Sequence, residues 1–141
     1  MVKIMNTRWH FFLTTILCCF VVQVYAKQPV TITAIKQLKE YESNALLADK
    51  KYKGKVIKVR GIVESIENND ATGDPNIIFT ATTGYNGVRA EFSKKYLDTL
   101  LKIKKGDSVT VTCIGNGSLL GIVDLNCNKE NGKQDAGIKN Q

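Results

Sequence analysis

Histidine and tryptophan are almost absent from this sequence. Its 141 residues hold one of each, His10 and Trp9, both within the first ten positions. A long hydrophobic span is also lacking, because the apolar run from Phe11 to Val22 is too short to cross a bilayer. Lys3 and Arg8 precede that run, and Val24-Tyr25-Ala26 and then the polar Lys27-Gln28-Pro29 follow it. A positive leader, a short apolar stretch and a small residue before a polar start make a secretory signal, with cleavage expected between Ala26 and Lys27. A buried core helix would carry polar residues at helical spacing, and this run has almost none. Acylation at Cys18 or Cys19 is disfavoured, since Thr15-Ile16-Leu17 lacks the small residue that normally precedes a lipid-modified cysteine. The expectation is a periplasmic or secreted protein with no transmembrane segment once the signal is removed.

Removal of residues 1–26 sharpens each absence. The remaining 115 residues have no histidine, which excludes the usual general base, the commonest nucleophile triads and most zinc sites. They have no tryptophan to stack on a sugar and only two arginines, Arg60 and Arg89. Eighteen lysines and arginines against 13 acidic residues leave a net charge of +5, mildly basic and short of a nucleic-acid signature. No internal repeat is present, and the length suits one compact domain.

Two cysteines remain, Cys113 and Cys127. Without a histidine or a Cys-x-x-Cys spacing they supply neither a good metal site nor a redox pair. In an oxidising compartment a structural disulfide is the leading reading, closing a loop of about 15 residues for roughly 3 kcal/mol.

Along the mature chain, residues 27–32 read as a linker. Ile35, Leu38, Tyr41, Ala45 and Leu46 recur at helical spacing, which predicts a helix from Thr33, its N-cap, to about Ala48. The basic stretch from Asp49 to Lys55 reads as a link into a long strand, Val56 to Ile66, with Gly61 at its centre permitting a bend. The segment Glu67 to Pro75 is rich in turn formers. Asn76 to Thr82 and Val88 to Phe92 are expected as a hairpin, Lys94 to Leu101 as a short helix, and Ser108 to Ile114 and Leu120 to Cys127 as strands joined at Gly115-Asn116-Gly117-Ser118. The domain is expected over 33–127, followed by a polar, disordered tail over 128–141.

Five strands with a helix between the third and fourth is the order of an OB-fold, a partly open Greek-key barrel. The stretches Tyr41-Glu-Ser-Asn44, Ala48-Asp-Lys-Lys-Tyr-Lys-Gly-Lys55, Val59-Arg-Gly-Ile-Val63, Lys105-Gly-Asp-Ser-Val-Thr-Val111 and Val123-Asp-Leu-Asn-Cys127 resemble the bacterial tRNA_anti-like family of small exported or lipoprotein-type OB-fold proteins. The resemblance covers nearly all of the mature domain and implies its fold. It names no site, since members of that family are mostly uncharacterised.

OB-folds bind oligonucleotides or sugars on the face of their second and third strands and in adjoining loops. On that face alternation sends Val88, Ala90 and Phe92 to one side and Arg89 and Glu91 to the other, while Phe79 is ambiguous beside Ile77 and Ile78. The outward set of Thr80, Thr82, Arg89 and Glu91 offers one cation, and Tyr85 in the hairpin turn is the best exposed aromatic. Lys50, Lys51, Lys53, Lys55 and Lys58, and a second group at Lys102, Lys104 and Lys105, could track a phosphate backbone but equally suit a solvated surface. Asn68-Asn69-Asp70, with Asp74, has oxygen ligands but lacks the spacing of a calcium loop, and a turn is the simpler reading. The expectation is therefore a non-enzymatic binding module without cofactor or metal. Single-stranded nucleic acid and a ring-forming, sugar-binding assembly like a toxin cell-binding subunit are the alternatives.

Overall fold

A computed structural model of the protein describes residues 28–81, 86–128 and 138–140. Within them the elements run β1 (Val30–Thr33), α1 (Ala34–Ser43), α2 (Ala45–Tyr52), β2 (Val56–Asn68), β3 (Pro75–Phe79), β4 (Gly87–Glu91), a 3-10 turn (Lys94–Tyr96) leading into α3 (Leu97–Leu100), β5 (Ser108–Leu119), β6 (Ile122–Asn126) and β7 (Lys139–Asn140).

Five of these strands close a barrel. The order β2-β3-β4-β6-β5 returns to β2, with β4 and β6 parallel and the other neighbours antiparallel. This is the OB-fold connection. Closure depends on β2 serving two sides. Its first half, Val56 to Ile62, pairs with β5, and its second half, Val63 to Asn68, pairs with β3 across an irregularity between Val63 and Ser65. Gly61, where a bend is expected, pairs regularly with Val109 two residues before the irregularity, and a Cβ there would run into the ring of Phe79.

Each of the five barrel strands sends residues into one core. Ile57, Val59 and Val63 of β2 meet Ile77 and Phe79 of β3, Val88 and Ala90 of β4, Val109 and Val111 of β5, and Val123 and Leu125 of β6. Phe79 and Phe92 both point inward, which resolves the one and agrees with the alternation of the other. Tyr96 meets the Phe92 ring edge-on at 5.9 Å.

The amino-terminal region differs from expectation in two ways. Residues 30–33 are not linker: β1 pairs in parallel with Ile57 to Arg60 of β2. The single expected helix is two, because Asn44 adopts an extended conformation (φ −160°, ψ 94°). Its backbone N–H donates to Glu40 O, ending α1, while its Oδ1 accepts from Leu47 N at 3.0 Å, capping α2. A short amide side chain competes for backbone partners in this way and so favours helix starts. Thr33 caps α1 as expected, accepting from Lys36 N at 3.3 Å. Of the expected apolar face, Leu38 and Tyr41 are buried, with Ala34 and Gln37 beside them, while Ile35 and Leu46 are exposed. The stretch expected as a link from Asp49 is helical through Tyr52, whose buried ring lies 6.2 Å from that of Tyr41. The Tyr52 hydroxyl donates to Glu40 Oε2 at 2.6 Å.

At the other end, Gly115 to Ser118 is not a turn. β5 continues through it with a register shift between Gly115 and Gly117, and the chain reverses at Leu120 and Gly121, with φ of 51° and 82°. Two successive positive φ values are what a two-residue hairpin needs. Just before this hairpin Cys113 is joined to Cys127, Cα to Cα 4.2 Å, so the expected disulfide is present. In the expected tail, Lys139 and Asn140 pair with Thr110 and Val109.

Candidate binding cleft

The outer face of β2, β3 and β4 is read from register, since residues directly opposite on adjacent strands project to the same side. Glu67, Asn76 and Glu91 form one cross-strand row; Ser65, Ile78 and Arg89 form the next, and Asp124 of β6 extends it. This face, together with the loop after β2, lines a cleft of about 770 Å³, a volume typical of small-ligand sites.

Its lining is of two kinds. Ile78, Ala81 and Ile122 supply apolar surface, while Glu64, Glu67, Asp70, Asn76 and Asn86 supply oxygens and amides. Arg89 is the one cation in the lining, and it is occupied: its Nε and Nη2 both hold Asp124 Oδ1 at 2.8 Å. Glu64 accepts from Lys105 Nζ and from the Thr80 hydroxyl, and the hydrogen bond from Lys105 holds its carboxyl below the usual carboxylate range, with help from Thr80. Among the described residues Glu67 accepts only from Ser65 Oγ, at 2.6 Å. Asp70 has no cationic partner among the described residues. The Nζ of Lys94 comes within 3.4 Å of where a Gly73 Cβ would stand, yet Lys94 does not line the cleft.

Asn76 is the unusual member. It sits on the outer face between Glu67 and Glu91 and lines the cleft, yet it is only 5% exposed and its Oδ1 has no hydrogen-bond partner. Buried amide oxygens are nearly always satisfied, so an orphan of this kind calls for a donor.

The residues expected from sequence are only partly brought together. Arg89 lines the cleft and Thr80 bonds to one of its carboxylates. Thr82 and Tyr85 lie outside the described residues, as do Ala26 and Lys27. Lys50, Lys51, Lys53 and Lys55 belong to α2 and its exit and do not reach the cleft. Lys51 pairs with Glu40 at 2.7 Å, Lys53 with Asp49 at 3.7 Å, and Lys55 donates to the carbonyl of Lys50. Lys51 does line a smaller groove between α1 and α2, with Lys36, Lys39 and Ser43.

The loop from Asn69 to Asp74 is a turn, closed by Gly73 N to Asn69 O, Asn69 N to Asp74 O and Ala71 N to Asn69 Oδ1. Among the described residues, no three acidic, histidine or cysteine side chains are placed to hold a metal ion. Glu64, Glu67, Asn76, Ile78 and Ile122 were not singled out from sequence. Alternation extended across the β2–β3 register would have put Glu67 and Asn76 on the same face as Glu91.

Comparison with known proteins places this geometry. The tRNA_anti-like family model matches residues 2–129. No functionally curated protein matches the sequence. Among solved structures, the chain is similar to a lipoprotein from Klebsiella pneumoniae subsp. pneumoniae provisionally described as nucleic acid-binding, with a TM-score of 0.54 and 17% identity over 68% of this chain and 87% of that one. A replication factor A related protein from Methanobacterium thermoautotrophicum superposes with a TM-score of 0.46 at 16% identity, over 63% of this chain and 83% of that one. The Stn1-ten1 complex of S. pombe gives 0.44 at 14% identity, over 61% and 57%. At 17% identity the likeness to the Klebsiella pneumoniae lipoprotein concerns the fold.

Proposed function

The chain belongs to the tRNA_anti-like family, and from that premise we propose that it is an exported OB-fold binding module, not an enzyme, whose working surface is the cleft on β2, β3 and β4. The observation that carries this reading is the cleft itself, lined by apolar and polar residues together, with Asp70 and the Asn76 oxygen among them having no partner among the described residues. Small-ligand sites are built in this manner, with apolar lining and a few polar groups that fix orientation. Export is supported by the signal-like first 26 residues and by the Cys113–Cys127 bridge, a bond that persists in oxidising compartments. No helix among the described residues is long and apolar enough to cross a membrane.

Two measurements test the proposal. Intact mass of the protein recovered outside the cytoplasm should show a start at Lys27 and the loss of two hydrogens; a start at Met1 contradicts export, and a lipid-sized gain at Cys18 or Cys19 contradicts cleavage after Ala26. An NMR titration with a panel of peptides, oligosaccharides, polyamines and oligonucleotides should move amides of Glu64 to Asn76 and Gly87 to Arg89. A panel that leaves them all in place rejects the cleft as the working surface.

The α1–α2 groove favours a second reading, single-stranded nucleic acid, because Lys36 and Lys39 gather there beside the Lys51–Glu40 pair. Binding through phosphates would be strong at low salt and fade steeply as salt rises. Replacing the three lysines by alanine should abolish it. Absence of oligonucleotide binding at low ionic strength retires this reading.

A further inference from the structure

The ligand class of the cleft follows from its charge, its apolar floor and its unsatisfied acceptor. We propose that the cleft takes an ammonium group carried on an aliphatic stem, as a lysine side chain of a partner peptide or a polyamine presents it. The proposal rests on the cleft being the working surface.

Three carboxylates line the cleft, those of Glu64, Glu67 and Asp70. Lys105 engages the first of them, and the Arg89 guanidinium is held by Asp124. What remains among the described residues is two carboxylates without a cation and the Asn76 oxygen without a donor. A phosphate or carboxylate ligand would bring acceptors to acceptors and add like charge. Only a cationic donor answers both deficits, and charge-assisted hydrogen bonds are the stronger kind.

The apolar part of the lining narrows the class further. Ile78 and Ile122 are half-buried in the cleft beside Ala81. Methylene chains cover such surface while their charged end stays with polar partners, which is how a lysine stem behaves. A bare metal ion would leave the isoleucines unused. It would also need more converging ligands than the described residues supply.

The test uses the secreted, oxidised protein with tetralysine as the probe and spermine, tetraglutamate and oligothymidylate as comparison arms. Affinity is read by calorimetry and location by amide shifts. Tetralysine should move the amides of Glu64 to Asn76 and Gly87 to Arg89, and should weaken as salt rises. Glu67→Gln and Asp70→Asn should each cost about fivefold in affinity, the upper end for a partly exposed charge pair. Asn76→Leu removes the orphan acceptor at similar size. It should raise the urea midpoint while weakening tetralysine binding, a split that a purely structural role would not produce.

Spermine binding as tightly as tetralysine identifies a small polyamine as the source, and tetralysine alone identifies a peptide. Tetralysine affinity that is unchanged in the Glu67→Gln/Asp70→Asn double variant overturns the proposal. If tetraglutamate, oligothymidylate or a neutral saccharide moves the cleft amides and tetralysine does not, the ammonium inference falls and the binding-module reading stands. If no probe of either sign moves them, both fall.

Discussion

Arg89 and Asp124 face each other across the parallel β4–β6 pair, and the guanidinium holds one carboxylate oxygen with two of its nitrogens, each at 2.8 Å. The arginine that the alternation pattern offers as a ligand contact is thereby committed to the barrel. Both side chains are partly screened from solvent, 35% and 21% exposed, so the pair lies between the surface and buried regimes. Arg89→Ala or Asp124→Ala should each lower unfolding free energy by about 1–2 kcal/mol. The double variant should lose less than the sum, because the two losses share one interaction. Urea unfolding of the four proteins checks this; strict additivity would show that the pair is not coupled.

Gly61 packs against Phe79 so tightly that Gly61→Ala should cost about 1–3 kcal/mol through overpacking. Pairing it with Phe79→Leu should recover part of that loss relative to Phe79→Leu alone. The urea midpoints of the three variants decide the point. An unaffected Gly61→Ala protein would mean that the Phe79 ring is free to move away from residue 61.

Reduction of the Cys113–Cys127 bridge should lower stability by roughly 3 kcal/mol, given a sequence separation of 14 residues. Parallel urea curves with and without a reductant measure it. The Cys113→Ser/Cys127→Ser variant should match the reduced protein and be indifferent to reductant.

The pH profile follows from two carboxylates and two phenols. Hydrogen bonds from Lys51 and then Tyr52 hold the Glu40 carboxyl below its ordinary value, and Lys105 does the same for Glu64. A depressed carboxylate contributes stability that is complete above the unfolded value of about 4.5 and is lost as pH falls through the folded one. Burial raises the Tyr41 and Tyr52 hydroxyls, with the Asp49 and Glu40 carboxylates adding to it respectively. Their contribution is complete below about pH 10 and is lost above it. No histidine follows residue 10, so Tm should be flat between about pH 5.5 and 8 and fall only as pH drops below about 4.5 or rises above about 10. Glu40→Gln should soften the acid fall. A steep slope between pH 6 and 7.5 would contradict the assignment.

Much of the barrel is legible in the chain because each strand carries its own period. Val88, Ala90 and Phe92 alternate with Arg89 and Glu91, and the inward set is buried. The helix break at Asn44 is less visible, since one residue acts as stop and cap at once and the apolar spacing continues across it. The hairpin tip is hidden by composition. Gly115 and Gly117 look like a turn but accommodate a bulge against the backbone of Tyr52, while a leucine takes the left-handed turn position.

The cleft shows the same division. Sequence by itself determined the inward and outward faces of β4, the two cysteines that bridge, and the absence of histidine after residue 10, because these depend on local alternation and composition. Tertiary structure alone decided that Arg89 is held by Asp124, 35 residues further on, and that the lysines of α2 stand away from the cleft. It also decided that Asn76 is buried between Glu67 and Glu91 with its oxygen unanswered. Register between distant strands sets these relationships, and register is fixed only when the barrel closes around its common core.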